Sequence, residues 1–167
     1  MPDDQEKTYL TPYVSGVSEL GTNTGEIGRF IARVLGLPEN IQNIFRNFST
    51  AEFLVDSLAP LFGLNTGQTT ELIRILRDIL LADLFWGDFS KTISTRLQID
   101  SDTANQIVKA ITDGLLTPAL EDIKTMQREK FGGKINQSSS GQIQQPPAVS
   151  NVEQGNVINL RNRNNQE

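Results

Sequence analysis

Behind the tetrad Asn65-Thr66-Gly67-Gln68 come Leu72, Ile73, Ile75, Leu76, Ile79, Leu80, Leu81 and Leu84, apolar residues that fall on nearly every side of a helix. The tetrad has the spacing of a capping box, in which an Asn side chain accepts an orphan amide three residues on and a Gln reaches back. A helix with so little polar surface is stable only when other elements surround it. The sequence therefore places a buried helix from Thr66 to Phe85 at the centre of an all-α domain.

The surround is written in the same local chemistry. Asn23-Thr24-Gly25-Glu26 repeats the capping spacing ahead of the stripe Ile27, Phe30, Ile31, Val34 and Leu35, and Gly36 is expected as a left-handed cap. Leu37-Pro38 opens the stripe Ile41, Ile44, Phe45 and Phe48. Ser49-Thr50-Ala51-Glu52 is expected to cap a third helix, which Pro60 should kink or shorten for want of an amide. Gly87-Asp88 precedes a short helix with Phe89, Ile93 and Leu97. Asp100 or Ser101 caps another with Ala104, Ile107, Val108, Ile111 and Leu115. After Thr117-Pro118 a last helix runs from Ala119 to Lys130.

A second register links these pieces. At an offset of thirty-five residues Leu64-Asn65-Thr66 faces Ile99-Asp100-Ser101, Leu72-Ile73-Arg74 faces Ile107-Val108-Lys109, and Asp78, Leu80 and Leu81 meet identical residues at 113, 115 and 116. Each unit reads as a short helix, a capped turn and a longer helix, and neither can bury its stripe alone. The expected architecture is a compact bundle of about six or seven short helices, with two tandem helix-turn-helix units as one arrangement of it. Residues 24–131 form the domain. Residues 1–23 read as a loose lead with at most one helical turn. Residues 132–167, rich in Asn, Gln and Ser, read as a disordered tail, because such composition buries too little apolar area to offset chain ordering.

Composition narrows the chemistry. The chain has no cysteine and no histidine, which removes disulfides, thiolate and imidazole metal ligands, and the Ser-His and Cys-His nucleophile pairs. No cofactor, metal site or enzymatic activity is expected. The net charge of −5 disfavours nucleic acid and anionic lipid as partners unless bases cluster locally. The longest apolar-rich stretch, 79–86, contains Asp83 and is too short for a membrane span. Met1-Pro2-Asp3-Asp4-Gln5-Glu6-Lys7 lacks the basic start and apolar run of a signal peptide, so the expected setting is cytoplasmic.

Three functional readings remain. The first is a non-enzymatic adaptor or scaffold module whose partner is another protein. It would bind through an apolar corner of Leu81, Phe85, Trp86 and Phe89, with Val157, Ile158 and Leu160 of the tail as a second contact. An alternative use of the aromatic pair is simply to close one end of the bundle. The second reading rests on Ile93-Ser94-Thr95-Arg96-Leu97-Gln98-Ile99-Asp100 through Thr103-Ala104 to Ile107, which resembles the bacterial helix-turn-helix DNA-binding pattern. That resemblance implies a regulator whose Ser101, Thr103, Asn105, Gln106 and Lys109 contact DNA. Ser94 and Gln98 depart from the alanine and glycine usual there, and two carboxylates lead the recognition helix. The third, carboxylate catalysis, requires a pocket holding two or more of Asp78, Asp83, Asp88 and Asp113.

Arg77-Asp78-Ile79-Leu80, Gly87-Asp88-Phe89, the Leu97-Gln98-Ile99-Asp100 turn and the terminal Val157-Ile158-Asn159-Leu160 together resemble small uncharacterised helical proteins of candidate-phylum, Patescibacteria-like bacteria. The resemblance spans about residues 50–131 and the tail end. It implies a bacterial, cytoplasmic setting and no known activity.

Overall fold

A computed structural model describes residues 9–139, with side chains described as far as Gly133. Among the described residues every regular element is helical: α1 (Pro12–Glu19), α2 (Thr24–Leu35), α3 (Glu39–Arg46), α4 (Phe48–Glu52), α5 (Ala59–Phe62), α6 (Thr66–Leu80), α7 (Phe89–Leu97), α8 (Ser101–Ile111) and α9 (Leu120–Ser139). Wide π-helical turns join α4 to α5 (Phe53–Leu58) and follow α8 (Thr112–Leu116). Short 3-10 turns cover Trp86–Asp88 and Thr117–Ala119. None of these helices is long and apolar enough to cross a membrane.

The all-α bundle expected from the sequence is the observed one, and α6 is its centre. Leu72, Ile73, Ile75, Leu76, Ile79 and Leu80 are at most 1% exposed, and α1, α3 and α7 pack around them. The full capping box forms: Asn65 Oδ1 accepts from Gln68 N–H at 2.9 Å, and Gln68 Oε1 accepts from Asn65 N–H at 3.0 Å. At Pro60 the helix widens instead of stopping. The turn before it takes five-residue hydrogen bonds, Ala59 N–H to Leu54 C=O among them, which makes room for a ring that cannot donate.

The thirty-five-residue correspondence extends to the backbone. Gly63 (φ 62°, ψ 31°) and Gln98 (φ 56°, ψ 46°) occupy the same left-handed turn position. Leu64 N–H bonds to Ala59 C=O at 2.9 Å, as Ile99 N–H bonds to Ser94 C=O at 3.1 Å. Asp100 then caps Thr103 N–H at 2.8 Å, as Asn65 caps Gln68. The two units touch where Gln68 Nε2 donates to Leu97 C=O at 2.8 Å. Ser94 replaces the usual alanine with a clasp, its hydroxyl donating to Ile99 C=O at 2.7 Å. Gln98 carries a left-handed φ that costs an L-residue about 1–2 kcal/mol relative to glycine. Its side chain is exposed, so Gln98→Gly should raise stability by about 1 kcal/mol, read as a higher urea midpoint with unchanged slope.

Several local expectations are corrected. The lead is no loose segment from residue 11 onward: Thr11 caps α1 and Pro12 sits in its first turn. Thr11, Pro12, Ser15 and Gly16 are buried against the bundle. Gly36 is right-handed (φ −83°), and the cap before α4 is Asn47 rather than Ser49. The last helix does not stop before Gly132-Gly133. It bends at Phe131 (φ −120°, ψ 19°) and continues to Ser139, so the domain edge at 131 is a kink. The remainder of the tail, 140–167, lies outside the described residues.

Candidate functional site

Where α6 ends, the chain turns through Leu81, Ala82 and Asp83 into an extended residue, Phe85, and the turn Trp86–Asp88. Two clamps hold this connection. Arg33 of α2 grips Asp83 with both terminal guanidinium nitrogens, at 2.8 and 2.7 Å, and its Nη2 also donates to Leu81 C=O at 2.7 Å. Lys130 of α9 adds a third bond to Asp83 at 2.8 Å. The second clamp is Gln127, 4% exposed: its amide donates to Leu84 C=O at 2.9 Å and its oxygen accepts from Trp86 N–H at 3.0 Å.

The clamped turn and α9 enclose a cleft of about 530 Å³. Phe85, Trp86 and Gly87 form one wall, Leu120 and Ile123 the other, and Thr112 of the π turn and Gln127 also line it. Lys124 and Arg128 line it from exposed positions on α9. Gly87 is there because the Phe85 ring lies across it; a Cβ at 87 would stand 2.5 Å from that ring. Phe85 stacks at a tilt on Phe131 (5.5 Å) and Trp86 on Phe89 (5.6 Å).

The corner expected from the sequence is thus brought together in part. Phe85 and Trp86 are half-buried and line the cleft. Leu81 and Phe89 are 5% and 1% exposed and belong to the core, so they are corrected from contact residues to supports. Leu81 packs in the core where α6 ends, and Phe89 packs in the core against the indole of Trp86. Val157, Ile158 and Leu160 lie outside the described residues. Gln127, Arg33 and Lys130 were not singled out in the sequence. Their partners lie 41 to 50 residues away, and no local spacing signals them.

The residues of the helix-turn-helix alternative sit on α8. Ser101, Asn105, Gln106 and Lys109 are exposed, while Thr103 is partly buried and bonded to Asp100. Asn105 accepts from Ser90, and Lys109 is paired with Asp113. Thr103 hydrogen bonds hold the Asp100 carboxyl below its ordinary range, which keeps a negative charge at the leading end of α8. Arg74, Arg77 and Arg96 do gather on neighbouring faces of α6 and α7, but carboxylates meet them there. Glu19 bonds Arg74 at 2.6 Å and Arg77 at 2.5 Å, and Glu71 and Asp78 engage Arg96.

The aspartates of the catalytic alternative are dispersed among structural roles. Asp78 pairs with Arg77 and Arg96, Asp83 with Arg33 and Lys130, and Asp113 with Lys109. Asp88 lines a shallow depression with Lys91 and Arg96. Burial works to raise the Asp83 carboxyl, yet the hydrogen bonds from Arg33 and Lys130 outweigh it and leave the group below its ordinary value. A depressed carboxylate contributes stability above its unfolded pKa and loses it as the pH falls through the folded one. Asp83→Asn should therefore be less stable than the wild type at neutral pH. Urea unfolding at a series of pH values should show that gap closing below about pH 4.

Comparisons with protein-family models, curated proteins and solved structures find no significant match to this chain. The functional reading rests on the site itself.

Proposed function

We propose that this protein is a non-enzymatic helical adaptor module that binds another protein through the cleft between the Trp86 turn and α9. The observation that carries the reading is an apolar cleft with one aromatic and one aliphatic wall, held open by a clip whose polar atoms are satisfied. Half-buried Trp and Phe in a preformed pocket are the side chains from which binding hot spots are built. The buried side-chain polar atoms described have hydrogen-bond partners, so the cleft presents shape and apolar surface rather than a reactive group. The ion pairs on Arg74, Arg77, Arg96 and Lys109 weigh against a DNA-binding face, because phosphate affinity draws on bases free to engage it. The cytoplasmic setting belongs to the same proposal, and cell fractionation tests it.

The test is affinity capture from the native cell extract with the intact chain, with Trp86→Ala and with a chain lacking 155–167. A specific protein should be recovered by the intact chain and fall about tenfold or more with Trp86→Ala, the loss of a hot-spot aromatic. Loss with the truncation would add the tail as a second contact. Equal recovery by all three would remove both surfaces.

A further inference from the structure

The two walls of the cleft differ in their outer edges. Along α9, Lys124 and Arg128 stand one turn apart and border the apolar strip of Leu120 and Ile123. Arg128 makes no ion pair among the described residues. Lys124 has a neighbour three residues back, Glu121, but that pair is open to water with side chains 58% and 85% exposed. An exposed pair of this kind contributes little and is readily exchanged for another carboxylate. The opposite wall, Phe85, Trp86 and Gly87, offers no charge. A chain with a net charge of −5 therefore gives this cleft a cationic edge on one side only. Screening within about 8 Å at physiological ionic strength lets that local edge, not the distant net charge, act on a docked ligand.

Resting on the reading of the cleft as a protein-binding site, we propose that its partner is an acidic amphipathic peptide segment. Two bulky apolar side chains enter between Trp86 and Ile123, and neighbouring carboxylates lie on Lys124 and Arg128. The α9 side of the cleft from Leu120 to Gln127 covers seven residue steps of helix, about 10 Å, which sets the spacing of the two apolar side chains. The charged edge fixes which way round the peptide lies, since the reversed orientation would set its carboxylates against the uncharged aromatic wall.

The chain has one tryptophan, and it lines this cleft, so its emission reports occupancy without a label. Three synthetic peptides share two leucines about 10 Å apart and differ only in their flanks, which are glutamate, glutamine or lysine. The glutamate peptide should shift Trp86 emission and bind about tenfold tighter than the lysine peptide, with the glutamine peptide between, and the spread should shrink in high salt. The double variant Lys124→Glu with Arg128→Glu changes exposed residues only and should invert the order. If the three peptides bind alike, or the inversion fails, the acidic partner is wrong while the apolar cleft stands, because the glutamine peptide still moves Trp86. If none of the three perturbs Trp86, both the partner and the binding site are wrong.

Discussion

Gln127→Leu should cost about 2–4 kcal/mol and loosen the turn that carries Trp86, although leucine fits a helix and matches the apolar surroundings. The reason is what it leaves behind. Gln127 is the hydrogen-bond partner of Leu84 C=O and Trp86 N–H, and each partly buried backbone group left unpaired costs about 1–3 kcal/mol. Gln127→Glu separates the two bonds: a carboxylate still accepts from Trp86 N–H but cannot donate to Leu84 C=O, and it brings a charge into a site 4% exposed. Both variants should lower the urea midpoint. Only loss of the clip itself should also shift Trp86 emission towards the solvent-exposed range before global unfolding. A Gln127→Leu chain with wild-type stability and unchanged Trp86 emission would show that the clip does not hold the cleft wall.

Gly16→Val should cost about 2–3 kcal/mol by overpacking. Gly16 faces Phe30 so closely that a Cβ would stand 2.2 Å from the ring. The ring has little freedom to retreat, being packed between Tyr13 at 6.0 Å and the fully buried Phe45 at 6.2 Å. The displaced helix would carry Glu19 away from Arg74 and Arg77. Those hydrogen bonds overcome the opposing effect of burial and hold the Glu19 carboxyl below its ordinary value. Phe30→Leu in the same chain should return part of the loss, a coupling that urea unfolding of the four members of a double-mutant cycle measures. A loose lead would instead tolerate valine at 16 with no change.

These two positions also mark what the sequence could and could not convey. Caps at Asn23, Asn65 and Asp100 were legible because donor and acceptor lie three residues apart, and the burial of α6 because its stripe closes around the helix. The start of α1 was also written locally, in Thr11-Pro12, but the short apolar pieces beside it have no sustained period. What lets α1 approach the bundle so closely is the absence of a side chain at Gly16, which has meaning only once Phe30 faces it. Gln127 occupies a position that looks like the polar strip of an exposed helix, and its partners arrive 41 and 43 residues earlier in the chain. Of the aromatic corner, Phe85 and Trp86 line the cleft while Leu81 and Phe89 are buried in the core, since an apolar residue beside a turn can face either way. The left-handed Gln98 accounts for the glycine usual in the pattern that segment resembles, and shows its geometry formed without that residue.

The binding role of the cleft is decided by mapping amide and indole resonances of the isotope-labelled chain while the captured partner is titrated in. Shifts concentrated on the Trp86 indole, Gly87, Thr112, Ile123 and Gln127 are the expected result. Shifts concentrated instead on Ser101, Asn105, Gln106 and Lys109 of α8, with Trp86 unmoved, would contradict it.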